Sequence, residues 1–170
     1  LEMWSLVEEQ ACNAVISLLK ADKQLAYSVV CRERKVNASE LKIDSECEDI
    51  IALYAPVAID LRFVLSMFKI NTNLERLGDF AESIARSVMN LPEGTAIDEK
   101  IILASRLEEM YEYALSMLVL SKEALETENP ELAQQVIAKD NLVDEINRQA
   151  VTVIAQYLEK NPKNAIQCLQ

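Results

Sequence analysis

The sequence predicts an all-α protein made of tandem antiparallel three-helix bundles, the second lacking its third helix. Three observations carry this reading. Turn residues are scarce: 170 residues contain only two glycines and four prolines, too few for a many-stranded sheet protein and right for long helices with short joints. Apolar residues recur at bundle spacing. In residues 61–89, Phe63, Met67, Ile70, Leu74, Leu77, Ala81, Ile84 and Val88 are separated by four and three alternately, the seam of a packed helix. Finally, the two halves match at one fixed offset of 107 (110 − 3).

The elements follow in order. A first helical pattern covers about residues 1–20. Asp22 is placed to cap a second, which runs to about Tyr54 and is ended by Pro56. A third extends to about Asn90 and has Leu77 in its core seam. Residues 91–96, with Pro92 and Gly94, are the best linker. A fourth segment covers about residues 98–127. Asn129-Pro130 reads as a helix cap followed by proline at the first helical position, opening a fifth segment to about Lys160. Pro162 opens a further stretch.

At the offset of 107, Met3 maps on Met110, Trp4 on Tyr111 and Asp22 on Asn129. Leu25, Ala26 and Val29 map on Leu132, Ala133 and Val136, Val36 on Val143, and Ala58-Ile59 on Ala165-Ile166. Agreement on one register points to duplication, with repeats over residues 1–91 and 97–170. The second repeat stops where its third helix should begin. Two amphipathic helices cannot close a bundle, so a longer natural chain or another subunit is expected to fill the gap. The abrupt helical opening likewise suggests that a native N-terminus precedes residue 1.

Composition narrows the function. Lys and Arg number 17 against 28 Asp and Glu, a formal charge of −11. Such a chain repels phosphate backbones, which argues against nucleic acid and favours cations, metal ions or basic protein surfaces. Histidine is absent, which removes the commonest general base and the usual zinc and di-iron ligand. Cys12, Cys31, Cys47 and Cys168 form no C-x-x-C pair and read as buried thiols in a reducing cytoplasm. No apolar run is long enough to span a bilayer, and there is no signal peptide.

The chemistry sits in acidic rows. Glu33, Asn37, Glu40, Asp44 and Glu48 border the second segment's seam of Val29, Val36, Ile43 and Ile50, and Asn71, Glu75, Asp79, Glu82 and Arg86 form a stripe on the third. Asp140 and Asp144 hold the places of Glu33 and Asn37 in the second repeat. Like charges four apart on a helix cost about 0.2–0.5 kcal/mol per pair. A cation relieves that repulsion, and hard oxygen ligands suit magnesium, calcium, manganese or ferric iron. The plainer alternative is a solvated acidic face on a structural or oligomerisation module. Gly78, inside the third helix, reads as a point of close helix packing.

Residues 52–85, ALYAPVAIDLRFVLSMFKINTNLERLGDFAESIA, resemble the signature region of the PhoU family of phosphate-uptake regulators. The features are Pro56, then Asp60-Leu61-Arg62, then Leu74-Glu75-Arg76-Leu77-Gly78-Asp79. The rest of the chain resembles the family more weakly. The resemblance implies tandem three-helix bundles and glutamate/aspartate-x-x-x-aspartate motifs that in some members hold multinuclear iron or zinc clusters. Glu75 and Asp79 match that motif, as do Asp140 and Asp144; Glu33 and Asn37 match in part, with asparagine for the second acid. It also implies a cytoplasmic negative regulator, expected to be dimeric. Such a protein couples an ABC-type phosphate transporter to a sensor histidine kinase, meets the membrane only through partners, and catalyses nothing. A di-iron carboxylate enzyme is the remaining alternative, although that class normally needs Glu-x-x-His on two helices.

Overall fold

A computed structural model describes residues 1–95 and 97–162. Six helices are present among the described residues: α1 (Glu2–Lys20), α2 (Lys23–Tyr54), α3 (Ala58–Asn90), α4 (Glu99–Ser105), α5 (Leu107–Glu126) and α6 (Pro130–Lys160). The chain divides into two compact units. One comprises Leu1–Ser17 and Asp22–Met89, the other Leu18–Ala21 and Asn90–Gln170. The all-α expectation is met. The equivalents of Ala58-Ile59, at Ala165-Ile166, and Cys168 lie outside the described residues.

The joints between helices are tight, and two of them are built alike. At the end of α1, Ala21 takes a left-handed conformation (φ 50°), and the Asp22 amide donates to the Ser17 carbonyl at 2.9 Å. At the end of α5, Glu128 does the same (φ 51°), and the Asn129 amide donates to the Ala124 carbonyl at 3.0 Å. Both are six-to-one C-terminal closures. The next residue is in each case the cap of the following helix: Asp22 accepts from the Gln24 and Leu25 amides, and Asn129 from the Glu131 amide. The residue whose amide closes one helix is thus the cap of the next, and the two joints stand 107 residues apart.

In the first unit, side-chain contacts tie α1 to both α2 and α3. The α1 seam is Met3, Val7, Gln10, Ala14 and Ser17; that of α2 begins with Ala26, Val29, Glu33 and Val36. The buried face of α3 is Val64, Asn71, Leu74, Gly78, Ala81, Ala85 and Val88. This corrects the expected seam. Leu74, Ala81 and Val88 are shared, but Leu77 is 40% exposed and Phe63 55%. Asn71 and Gly78 stand in the interior where Ile70 and Leu77 were expected. The reason is spacing between helices: Gly78 lets α3 approach Val36 and Glu33 of α2 closely, and the small Ala81 and Ala85 continue the same buried face. Ile50, expected in the α2 seam, is likewise exposed, and so is the Cys31 thiol.

In the second unit, α5 packs on α6, and α4 packs chiefly on α6. The expected fourth segment is in fact two helices. Arg106 is left-handed (φ 55°); its guanidinium clamps Glu109 with two bonds of 2.6 and 2.7 Å and reaches Gln149 at 3.3 Å. Asp98 caps α4 and accepts a 2.7 Å bond from the Tyr157 hydroxyl of α6, which fixes the start of α4 on the longer helix. No helix among the described residues is long and apolar enough to cross a membrane.

Candidate functional site

The site is built around a carboxylate that the fold takes out of water. Glu33 follows Val29 by four residues on α2, so the periodicity that buries Val29 and Val36 also buries Glu33, which is 4% exposed. Gln10 of α1, fully buried, donates from Nε2 to Glu33 Oε2 and also reaches the Gly78 carbonyl at 3.5 Å. Gly78 closes the third side. A Cβ added there would lie 3.0 Å from Val36 Cγ1 and 3.3 Å from Glu33 Oε2, so the missing side chain is what lets α3 pass against a carboxylate. The second oxygen, Glu33 Oε1, is buried with no hydrogen-bond partner among the described residues. A buried carboxylate with half its acceptors unmet is costly.

The surrounding charges make it costlier. Burial pushes the Glu33 carboxyl up from its ordinary range, the Gln10 bond offsets part of this, and Asp79, Glu82 and Glu75 push it up further. Glu75 is also raised, first by burial, then by the charges of Asp79 and Glu40 and by its hydrogen bond with Asp79. Arg76 acts in the opposite direction on Glu75. On the α3 stripe, Arg86 pairs with Glu82 at 2.6 Å. Beside the Gln10–Glu33 pair in sequence, Arg32 of α2 pairs with Glu9 of α1.

About two turns along, a second polar layer crosses the interior. Asn71, 2% exposed, donates from Nδ2 to Asp44 Oδ1 at 2.8 Å and to the Glu40 carbonyl at 2.9 Å. Its own oxygen is buried without a partner among the described residues. Asn71 therefore links α3 to α2 inside the bundle, where the sequence pattern had put it on an outer stripe.

The expected ligands divide accordingly. Glu75 and Asp79 stand near enough to raise the buried Glu33 carboxyl, with Glu82 beside them, although Glu75 is only half-buried and Asp79 is exposed. Asn37 is exposed on α2, and Asp140 and Asp144 are exposed on α6. Among the described residues no three cysteine, aspartate or glutamate side chains already stand as a group able to hold one ion. The donor chemistry fits a hard cation: one buried orphan oxygen and several neighbouring carboxylates with little opposing charge. Their present arrangement is not a closed coordination sphere. Gln10 is the residue that sequence reasoning missed as part of the site; Glu82 was placed on the acidic stripe but not among the ligands. Gln10 was legible in the α1 spacing Met3, Val7, Gln10, Ala14, Ser17, which puts it on the apolar seam.

Fold and site together define a class: a tandem helical-bundle protein whose first bundle gathers acidic side chains around a buried glutamate. The comparisons with known proteins make the class particular. The family model described as the PhoU domain matches residues 1–88 and 107–170. A phosphate-specific transport system accessory protein PhoU homolog from a Burkholderia species is 32% identical over 95% of this chain and 68% of its own length. One from Aquifex aeolicus is 32% identical over 96% and 72%. The crystal structure of PhoU from Pseudomonas aeruginosa matches with a TM-score of 0.91 at 30% identity, covering 99% of this chain and 79% of that one. The PhoU crystal structure from Streptococcus pneumoniae matches at 0.82 and 27%, over 94% and 73%. The chain belongs to the PhoU family. It spans about two thirds of the length of the curated relatives, which are 32% identical over 68% and 72% of their own lengths.

Proposed function

We propose that this chain is an accessory regulator of phosphate uptake. In this reading it is a cytoplasmic, dimeric adaptor that couples a phosphate-specific ABC transporter to a sensor histidine kinase and restrains the starvation response without catalysing a reaction. The observation that carries it is the family match across both repeats, residues 1–88 and 107–170, with relatives named as accessory proteins of the phosphate-specific transport system. The sequence supports the non-enzymatic part, because it has no histidine and no phosphate-cradling glycine loop. The cellular test is a deletion strain carrying a phosphate-starvation reporter. Derepression in phosphate-rich medium is expected, and normal repression would refute the regulatory role.

We further propose that the acidic motifs bind metal, with iron or zinc favoured by family and magnesium, calcium or manganese permitted by the oxygen ligands. Glu75, Asp79 and Glu33 would supply the ligands in the first repeat. Support comes from the uncompensated charge around Glu33 and from its orphan oxygen. Asn37 belongs to the motif by spacing alone. For Asp140 and Asp144 the exposure of both side chains favours the plainer reading of a solvated face. Elemental analysis of protein purified without chelator tests the assignment: Glu75→Ala with Asp79→Ala should at least halve bound metal while helicity stays within a few per cent. Unchanged metal in that variant overturns it.

A further inference from the structure

The outer end of the α2–α3 hairpin is apolar where solvent would favour polar residues. Leu53, Tyr54, Val57 and Ile59 are 73–80% exposed, and Phe63 on the first turns of α3 is more than half exposed. These side chains occupy consecutive turns around one joint. Scattered exposed apolar residues are ordinary, but a contiguous group marks a contact surface. The joint is held in a defined shape. Ala55 and Ala58 are both left-handed, at φ 44° and 49°, on either side of Pro56, and the Ala55 amide closes α2 on the Ile51 carbonyl at 3.1 Å. A surface ordered in advance gives up little entropy on binding.

Charge then selects the occupant. Residues 42–63 contain Asp44, Glu46, Glu48, Asp49 and Asp60 against Lys42 and Arg62, so acid outweighs base around the tip. Asp44 is engaged inward by Asn71, and Glu46 pairs with Lys42 at 3.7 Å; Glu48, Asp49 and Asp60 are exposed. A tip with this rim is repelled by anionic lipid headgroups. A second copy of the same tip repels it as well, since like charges would face each other. What complements it is an apolar recess bordered by positive charge.

We propose that this tip is a docking point for a protein partner that offers an apolar groove rimmed by lysine or arginine. Leu53, Tyr54, Val57, Ile59 and Phe63 enter the groove, and the carboxylates of Glu48, Asp49 and Asp60 meet the rim and steer the approach. The surface lies apart from Glu33, Glu75 and Asp79, and the proposal does not depend on metal binding there.

The test uses the full-length protein in its own cells, with the photo-crosslinker p-benzoylphenylalanine replacing Ile59 and, as a control, exposed Thr72. Adducts are identified by mass spectrometry. The expected result is a protein adduct at position 59 whose crosslinked peptide lies beside lysine or arginine. Its yield should fall at least tenfold when Leu53→Ser and Val57→Ser are introduced, and again when Asp49→Lys and Asp60→Lys are. All these positions are exposed, so helicity by circular dichroism should match the parent. Adducts to phospholipid, to another copy or another segment of this chain, or no protein adduct above the Thr72 control, overturn the proposal. So does a yield indifferent to charge reversal.

Discussion

Glu33 sets the pH behaviour of the first unit. Its carboxyl and that of Glu75 titrate above the ordinary glutamate value of 4.5 when folded. A carboxyl raised by folding binds its proton more tightly in the folded state than in the unfolded one. Stability contributed by these groups is therefore fully present below about pH 4.5 and is lost as pH rises through their raised folded values. Asp98 and Glu109 are held low, by the Tyr157 hydroxyl and by Arg106 respectively, and act in the opposite sense at more acid pH. The melting temperature is expected to rise as pH falls from 7 toward 5. Glu33→Gln keeps a hydrogen-bonding group beside Gln10 and removes the buried charge. It should raise the melting temperature at pH 7 by about 2–4 °C for a gain of about 1 kcal/mol, and flatten the pH dependence. Equal melting temperatures for parent and variant at pH 7 would show that Glu33 is not the uncompensated charge.

Among the elements, α3 separates what was legible from what was not. Its existence, its end at Asn90 and its amphipathic character were all readable from the pattern. Its phase was not. Met67, Leu74, Ala81 and Val88 belong to either of two stripes, one completed by Phe63, Ile70, Leu77 and Ile84, the other by Val64, Asn71, Gly78 and Ala85. Apolarity alone favours the first. Close packing against Val36 and Glu33 selects the second, because a seam of small residues brings two helices near enough for Asn71 to bond Asp44. Glu33 is interior because it shares the α2 face of Val29 and Val36, and it and Gln10 were passed over as interior positions because a core made only of apolar side chains was assumed. The split at Arg106 was also unreadable, because nothing in its neighbours signals a left-handed residue. Paired substitutions separate the two stripes. Leu74→Ala should cost about 2–5 kcal/mol, as for other buried leucines, whereas Leu77→Ala should stay within about 1 kcal/mol, measured by urea denaturation. Equal costs would restore the first stripe.

For the whole molecule, charge is the dominant feature that packing does not absorb. A net −11 repels itself, and exposed charges are screened over about 10 Å at 0.1 M salt. Raising sodium chloride from 10 to about 300 mM should therefore raise the melting temperature, an effect absent in a chain of balanced charge. Constant melting across that range would mean the carboxylates are already neutralised. The family was legible from the run of residues 74–79, while the inward placement of Glu33 required three helices to be seen together. The tight joints carry a consequence of their own. An α-helix turns about 100° per residue, and between Ala21 and α2 there is no slack to absorb an insertion. One added residue would roll α2 by more than a quarter revolution and swing Val29, Glu33 and Val36 outward as a set. The joint thus works as an angular index, keeping the glutamate's bearing inside the bundle, and its length is as constrained as any side chain in the molecule.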